Sequence, residues 1–172
     1  MNNIIKDIQT RFEISDIFHR RDNMSFLTCK KETTIAVITH MKNNLGFSHF
    51  VLMTAVDWIE DGKFQLTYIL NNPEKKLDIA VRTMLSREEA TMDSAHKLWR
   101  QVPTYQRELK EMFGIDFPGS PRVDENFILE GWDSIPPYRR DFDTKKYAEE
   151  TFFPRPGRET NDPAEYMKKK LG

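Results

Sequence analysis

The densest group of side chains that could do chemistry lies in YQRELKEMFG, Tyr105 to Gly114, where Arg107, Glu108, Lys110 and Glu111 crowd a few helical turns. Such carboxylates could serve as general bases in a pocket beside the helix. They could equally form a solvated face of i,i+3 and i,i+4 ion pairs, or hydrogen-bonding anchors for another segment or another chain. Periodicity alone does not choose between these. A second cluster, Arg139, Arg140 and Asp141, follows Pro136 and Pro137. Proline stiffens the loop, and two guanidinium forks presented from a stiff loop suit bidentate contact with carboxylates. Other chemistries lack their residues. His19, His40, His49 and His96 are scattered without paired ligand spacing or an HExxH helix, so no zinc site is expected. The single cysteine, Cys29, excludes an internal disulfide and an iron–sulfur cluster held by this chain alone, and reads as a buried structural thiol. No Walker, GxGxxG or GxSxG motif is present.

The charged group needs a helix to carry it, and local signals supply one. Pro103 presets φ at the start, and Thr104 offers a hydroxyl to the first free amides. Tyr105, Leu109, Met112 and Phe113 then fall on one stripe of period 3.6. Gly114 can end the helix in the left-handed conformation, with Ile115 positioned for a contact back to the last turn. Phe117, Pro118 and Gly119 predict a type II turn.

Upstream, Ile4, Ile5, Ile8 and Phe12 predict a first helix that Asn2 or Asn3 could cap, and Ile17 to Cys29 suits a hairpin around Arg21, Asp22 and Asn23. A helix from Glu32 to Leu45, with Ile35, Ile38, Met41 and Leu45 on one side, ends at Gly46. Phe47 to Ile59, the Asp61-Gly62 turn and the alternating KFQLTYIL predict a hairpin. A turn at Asn71 to Pro73 and Leu77, Ile79, Val81 and Met84 add a third strand. Ser86 to Glu89 fits a capping box, and Ser94 could cap a short helix holding Leu98 and Trp99. The fold class is therefore α+β in two layers, a mainly antiparallel sheet covered by helices.

The last third differs in character. Seven of the nine prolines lie from Pro118 onward, and Phe127, Trp132, Tyr138, Phe142, Tyr147, Phe152 and Phe153 follow no core period. Disordered tails are poor in aromatics, so residues 120–172 are expected to form an extended but docked arm beyond a domain over 1–119. Asp162, Pro163 and Glu165 predict a short terminal helix that ends in Lys168, Lys169 and Lys170.

A formal net charge of −1 argues against a nucleic-acid footprint. No apolar run approaches the ~20 residues that span a bilayer, and MNNIIKDIQT lacks a signal-peptide layout. The chain is expected to be intracellular, with no membrane insertion of its own.

QRELKEMFGIDFPG resembles the signature of the hydrophilic C-type subunit of respiratory complex I, NADH–quinone oxidoreductase: ERE, two residues, an acid, two apolar residues and Gly-Ile. Arg107, Glu108, Glu111, Met112, Phe113 and Gly114 match it, while Gln106 replaces the first glutamate and Ser120 replaces the histidine of the usual Gly-His-Pro. PPYRRDF, Pro136 to Phe142, resembles the family's Pro-Leu-Arg-Lys-Asp-Phe, and TAVDW, Thr54 to Trp58, its Thr-Ala-Val-Asp-Tyr strand. Related subunits occur in membrane-bound NiFe hydrogenases and formate hydrogenlyases. The resemblance implies a cofactor-free, non-catalytic subunit of an oxidoreductase complex, on the cytoplasmic side of the membrane. Iron–sulfur clusters, and a NiFe centre in the hydrogenase branch, would lie in its partners, a hydrogenase-like large subunit and iron–sulfur subunits. Arg107, Glu108, Glu111, Phe113, Gly114, Arg139, Arg140 and Asp141 would hold the partner junction. A stand-alone enzyme with Glu108 or Glu111 as base, or an unrelated adaptor, are the competing readings.

Overall fold

The computed structural model describes residues 1–160 and 162–171. Its elements are α1 Asn2–Arg11, β1 Ile14–Arg21, β2 Met24–Cys29, α2 Lys31–Asn44, β3 His49–Trp58, β4 Lys63–Asn72, β5 Leu77–Ser86, α3 Val102–Phe113, α4 Thr144–Phe152 and α5 Pro163–Leu171. The sheet runs β1-β2-β5-β4-β3. The expected meander is present, with β4 antiparallel to β3 and β5, and the β1–β2 hairpin extends it. That hairpin joins through a parallel seam, Met24 opposite Asp78 through Thr28 opposite Arg82, because α2 and the β3–β4 hairpin intervene in the chain. Alternation predicts strands but is blind to the direction of a distant pairing.

One face of the sheet carries the core. Phe64, Leu66, Tyr68 and Leu70 of β4 and Ile79, Val81 and Leu85 of β5 are buried under Ile8 of α1, Val37, Ile38 and Met41 of α2, and Leu109 and Met112 of α3. Each such side chain contributes about 1.5–3 kcal/mol when fully buried. The opposite register positions, among them Gln65, Ile69, Arg82 and Met84, are half-buried. On α2 the buried stripe is Thr34, Val37, Ile38 and Met41, rotated from the expected Ile35–Leu45 line. Thr34 tolerates burial because its hydroxyl donates to Lys30 O at 2.9 Å and lies 3.4 Å from Cys29 Sγ. Cys29 is buried as expected, and burial pushes its thiol pKa up.

β3 is an edge strand, and side chains near the start of α3 cover its beginning by donating to one carbonyl just before it and one within it. Trp99 Nε1 donates to Ser48 O at 2.8 Å and Gln101 Nε2 to Phe50 O at 3.2 Å. Side-chain donors of this kind block the pairing that an open edge invites.

Several expected features differ. Neither asparagine caps α1, whose first amides bond to Met1 O. No helix forms at Ser86–Glu89 or around Leu98 and Trp99. Ser86 Oγ accepts from Glu88 N–H in a turn, and Ser94 Oγ accepts from His96 N–H while donating to Gln106 Oε1 at 2.7 Å, so both hydroxyls favour local alternatives to a helix. Thr104 does not cap α3, which begins at Val102. The arm is not simply extended. Residues after Gly119 run irregularly to Asp143, whose side chain caps α4 by accepting from Lys146 N–H at 2.9 Å. Ser120 and Val123, just past the expected domain limit, are buried in the core region. The terminal helix α5 is capped by Asp162 as expected.

Gly46 and Gly62 have similar left-handed φ values, +77° and +62°, in different surroundings. A Cβ on Gly46 would lie 2.8 Å from Asn72 Nδ2, which is buried and donates to Leu45 O, whereas one on Gly62 meets nothing within 4 Å. Gly62→Ala is expected to cost about 1 kcal/mol of left-handed strain and Gly46→Ala about 2–3 kcal/mol. Urea unfolding reads the difference, and equal losses would contradict the assigned contact.

Candidate functional site

The three stretches that carry the resemblance meet at the C-terminal end of α3. The helix ends as its sequence requires: Gly114 takes φ +78°, its N–H donates to Lys110 O at 2.9 Å, and Gly119 takes φ +76° in the following turn. A Cβ at Gly114 would sit 3.3 Å from Pro136 Cγ, so the loop of 136–142 lies directly against this corner. Tyr138 N–H donates to Met112 O at 2.9 Å, satisfying a helix-terminal carbonyl. The Phe113 ring sits edge-on between Phe64 at 6.0 Å and Tyr138 at 5.7 Å.

Below this corner lies a buried charge. Asp57 ends the inward-facing series Met53, Ala55, Asp57 of β3 and is 4% exposed. Arg87, just beyond β5, donates from Nη2 to Asp57 Oδ2 at 3.1 Å, while its Nε lies 2.8 Å from Oδ1 as an ion contact out of line with the N–H bond. The backbone N–H of Arg140 donates to the same Oδ2 at 2.9 Å. Arg87 Nη2 also donates to Asp141 Oδ1 at 2.9 Å, and Arg139 grips Asp141 at 3.2 and 3.3 Å. Arg140 Nη1 reaches Glu60 Oε2 at 2.6 Å. The guanidinium groups of Arg87 and Arg139 stand 5.5 and 5.9 Å from the Phe64 ring. Cations and carboxylates thus alternate from the end of β3 to the arm. Burial opposes charge on Asp141, but Arg139 and Arg87 outweigh it and hold its pKa below the ordinary aspartate value.

Glu111 forms the second anchor. Its carboxylate accepts three successive backbone N–H groups of the arm, from Phe127 at 2.6 Å, Ile128 at 2.8 Å and Leu129 at 3.0 Å. Charge-assisted bonds of this kind are about twice as strong as neutral ones. A third group is neutral: Gln106, fully buried, accepts from Ser94 Oγ at 2.7 Å and Ser120 Oγ at 2.6 Å.

The structure therefore brings Glu111, Phe113, Gly114, Arg139, Arg140 and Asp141 into one junction. Arg107 and Glu108 stand apart from it. Arg107 lies over the Phe127 ring at 5.5 Å, with Glu125 at 3.9 Å, and half-buried Glu108 makes no side-chain hydrogen bond among the described residues. Sequence reading missed Asp57 and Arg87 as site residues. Asp57 carried a signal, a charge at an inward position of an alternating strand. Arg87, a single arginine after a strand, carried none. Among the described residues no group of three or more His, Cys, Asp or Glu side chains is placed to hold a metal ion, and no helix is long and apolar enough to cross a membrane.

Comparison with known proteins bears on the whole arrangement. Residues 27–148 match the family model of the respiratory-chain NADH dehydrogenase 30 kDa subunit. The C-type subunit of NADH-quinone oxidoreductase from Citrifermentans bemidjiense is 31% identical over 67% of this chain and 72% of its own length. A fused C/D-type subunit of the same enzyme from Hydrogenobaculum is 34% identical over 72% of this chain, which spans 21% of that longer protein. Among solved structures, a chain of the membrane-bound sulfane sulfur reductase, an archaeal respiratory membrane complex, has the same fold: TM-score 0.78 at 24% identity, covering 92% of this chain and 97% of that one.

Removing Asp57 leaves Arg87 buried with only the more exposed Asp141 carboxylate for a partner, so Asp57→Ala is expected to destabilise the chain by about 3–5 kcal/mol, read by denaturant unfolding. Glu111→Gln keeps the shape and removes the charge, and hydrogen exchange at Phe127, Ile128 and Leu129 is expected to quicken ahead of exchange in β4. Unchanged protection there would rule out Glu111 as their anchor. Asp141 has a depressed folded-state pKa, so its contribution is present above the ordinary value of 3.8 and is lost as pH falls below it. Amide exchange at 138–141, extrapolated to its intrinsic rate, should therefore rise selectively on acidification through that window.

Proposed function

Because the chain belongs to the respiratory-chain NADH dehydrogenase 30 kDa subunit family, we propose that it is a structural subunit of the peripheral arm of a complex-I-like redox assembly. In this reading it binds a hydrogenase-like large subunit on the cytoplasmic side of the membrane. It carries no catalytic site or cofactor of its own. Iron–sulfur clusters, and a NiFe centre if the assembly is of the hydrogenase type, sit in neighbouring subunits, and electron transfer through them drives ion translocation.

The observation that carries this reading is the convergence of the three resembling stretches. Asp57, the end of α3 and residues 136–142 are far apart in sequence, yet they share one set of hydrogen bonds. Their residue types are used to clamp the arm to the domain. A rigid clamp at the root of a long segment with exposed Ile128, Ile135, Tyr138 and Phe152 suits a subunit that grips neighbours. The fused C/D-type relative supports the D-type partner as one of those neighbours, since fusion keeps together segments that work side by side. The enzyme reading gains nothing comparable: Glu111 is occupied by three backbone amides, and a general base needs a free lone pair near a substrate.

Affinity purification of the tagged chain from its own host, followed by iron analysis, tests the reading. Iron-bearing subunits are expected in the eluate, and recovery of the polypeptide alone, free of iron, would refute it. Glu108→Ala removes a half-buried carboxylate with no hydrogen bond or ion pair among the described residues, so it is expected to lower recovery of the partners severalfold while the unfolding midpoint of the isolated chain stays put. Wild-type recovery would remove Glu108 from the interface.

A further inference from the structure

Arg107 is the one signature cation that the fold does not pair closely. Its side chain is 20% exposed, its guanidinium lies 5.5 Å from the centre of the Phe127 ring, and its buried Nε has no acceptor among the described residues. The nearest carboxylate, Glu125, stands 3.9 Å from Nη1. Elsewhere in the site the arginines meet carboxylates at 2.6 to 3.3 Å. Glu125 is also engaged already: Arg122 holds it at 2.6 Å, and it is 52% exposed. Two guanidinium groups thus share one carboxylate. The other charges nearby are spoken for, with Lys110 paired to Asp116 and Asp124 and Glu111 bound to the arm amides. Glu108, half-buried on the next position of α3, is the remaining acid of this segment.

The two arginines line a cleft of about 210 Å³ together with Pro103, Thr104 and Pro121. Small-molecule sites run to about 300–1,000 Å³, so this cleft is the size for one inserted side chain. Its walls are stiff, with two prolines and an Arg122 backbone held at φ +60°, a conformation that L residues rarely adopt. A guanidinium stacked on an aromatic ring keeps its fork fixed for a planar, two-oxygen acceptor.

We propose that Arg107 and Arg122 form a socket for an aspartate or glutamate side chain of a neighbouring subunit, with Glu125 as the placeholder in the free chain. This rests on the subunit reading above. Glu125 Oε2, which meets both arginines in the free chain, shows that the pair accepts a carboxylate oxygen, and this favours a carboxylate as the incoming group.

Two measurements test the socket. In the host, the tagged R107Q/R122Q chain is expected to recover its partners about tenfold less well than wild type, the scale of losing one desolvated ion pair. Wild-type recovery by the variant overturns the socket alone, whereas a wild-type chain that recovers no redox partner overturns the subunit reading. Independently, the purified wild-type chain is titrated with N-acetylglutamate while the arginine Nε–Hε resonances are followed by NMR, with sodium chloride at equal ionic strength as reference. A saturable shift at Arg107, absent in Arg107→Gln, is expected. No shift beyond that of chloride, or a larger one with inorganic phosphate, overturns the carboxylate assignment, and this arm does not depend on the variant's assembly.

Discussion

A buried carboxylate at Asp57 constrains this fold more than any other single group. An ionised carboxylate removed from water is tolerated only when cations and donors replace its hydration. Asp57 obtains them from two distant places, the Arg87 guanidinium beyond β5 and the Arg140 backbone amide of the arm. Neither is local in sequence, so the charge is satisfied only when β3, β5 and the arm are all in place. A hydrophobic residue there would stabilise β3 against the core but would leave the arm without its deepest attachment. The interaction thus specifies geometry, and the net stability comes from the apolar layer above it.

The arm's attachment follows a consistent rule. Beside side-chain links such as Arg87 to Asp141 and Arg140 to Glu60, it is joined to the domain through backbone amides: Phe127, Ile128 and Leu129 to Glu111, Tyr138 to Met112 O, and Arg140 to Asp57. Irregular segments that pack on a domain must place their amides somewhere, and here the acceptors come from helix α3 and strand β3. Of its aromatic side chains, Phe127 and Tyr138 pack back on the domain, and others are left for other uses. Trp132, Phe142 and Tyr147 stack among themselves at 5.0 to 5.5 Å and form a small cluster apart from the main core. That cluster seats α4, which has no buried residue of its own.

The sequence was legible where structure is set within a few residues. The α3 boundaries, the turn at Phe117 to Gly119, the hairpin through Gly62 and the α5 cap each depend on a proline, glycine or aspartate acting on its near neighbours. Helix α4 was not read because Tyr147 and Phe152 answer to Trp132 and Phe142 rather than to a sheet, so no 3.6 period marks them. The parallel β2–β5 seam was hidden because alternation carries no direction. Glu111 was singled out as an anchor only by the family resemblance, and its three amide partners lie 16 to 18 residues ahead, beyond any local pattern. Ser86 and Ser94 misled for the opposite reason: a capping residue type is also a turn residue type, and tertiary contacts decided between them.

The two departures from the signature prove to be one structural fact. Gln106 and Ser120 stand where the resembling pattern has glutamate and histidine, and in the fold their side chains touch, Ser120 Oγ donating to Gln106 Oε1 at 2.6 Å in a buried position. With the pattern's residue types a carboxylate would face an imidazole there, and replacing either alone would leave an unmatched buried charge. Here a neutral amide accepts from two hydroxyls, and its Nε2 has no partner among the described residues. Both departures thus fall on a single contact between α3 and the turn that begins the arm. The contact needs no counter-ion, so it holds this corner without adding to the alternating charges of the junction, and the His96 ring, 2.9 Å from Ser94 Oγ, is the titratable group at its edge.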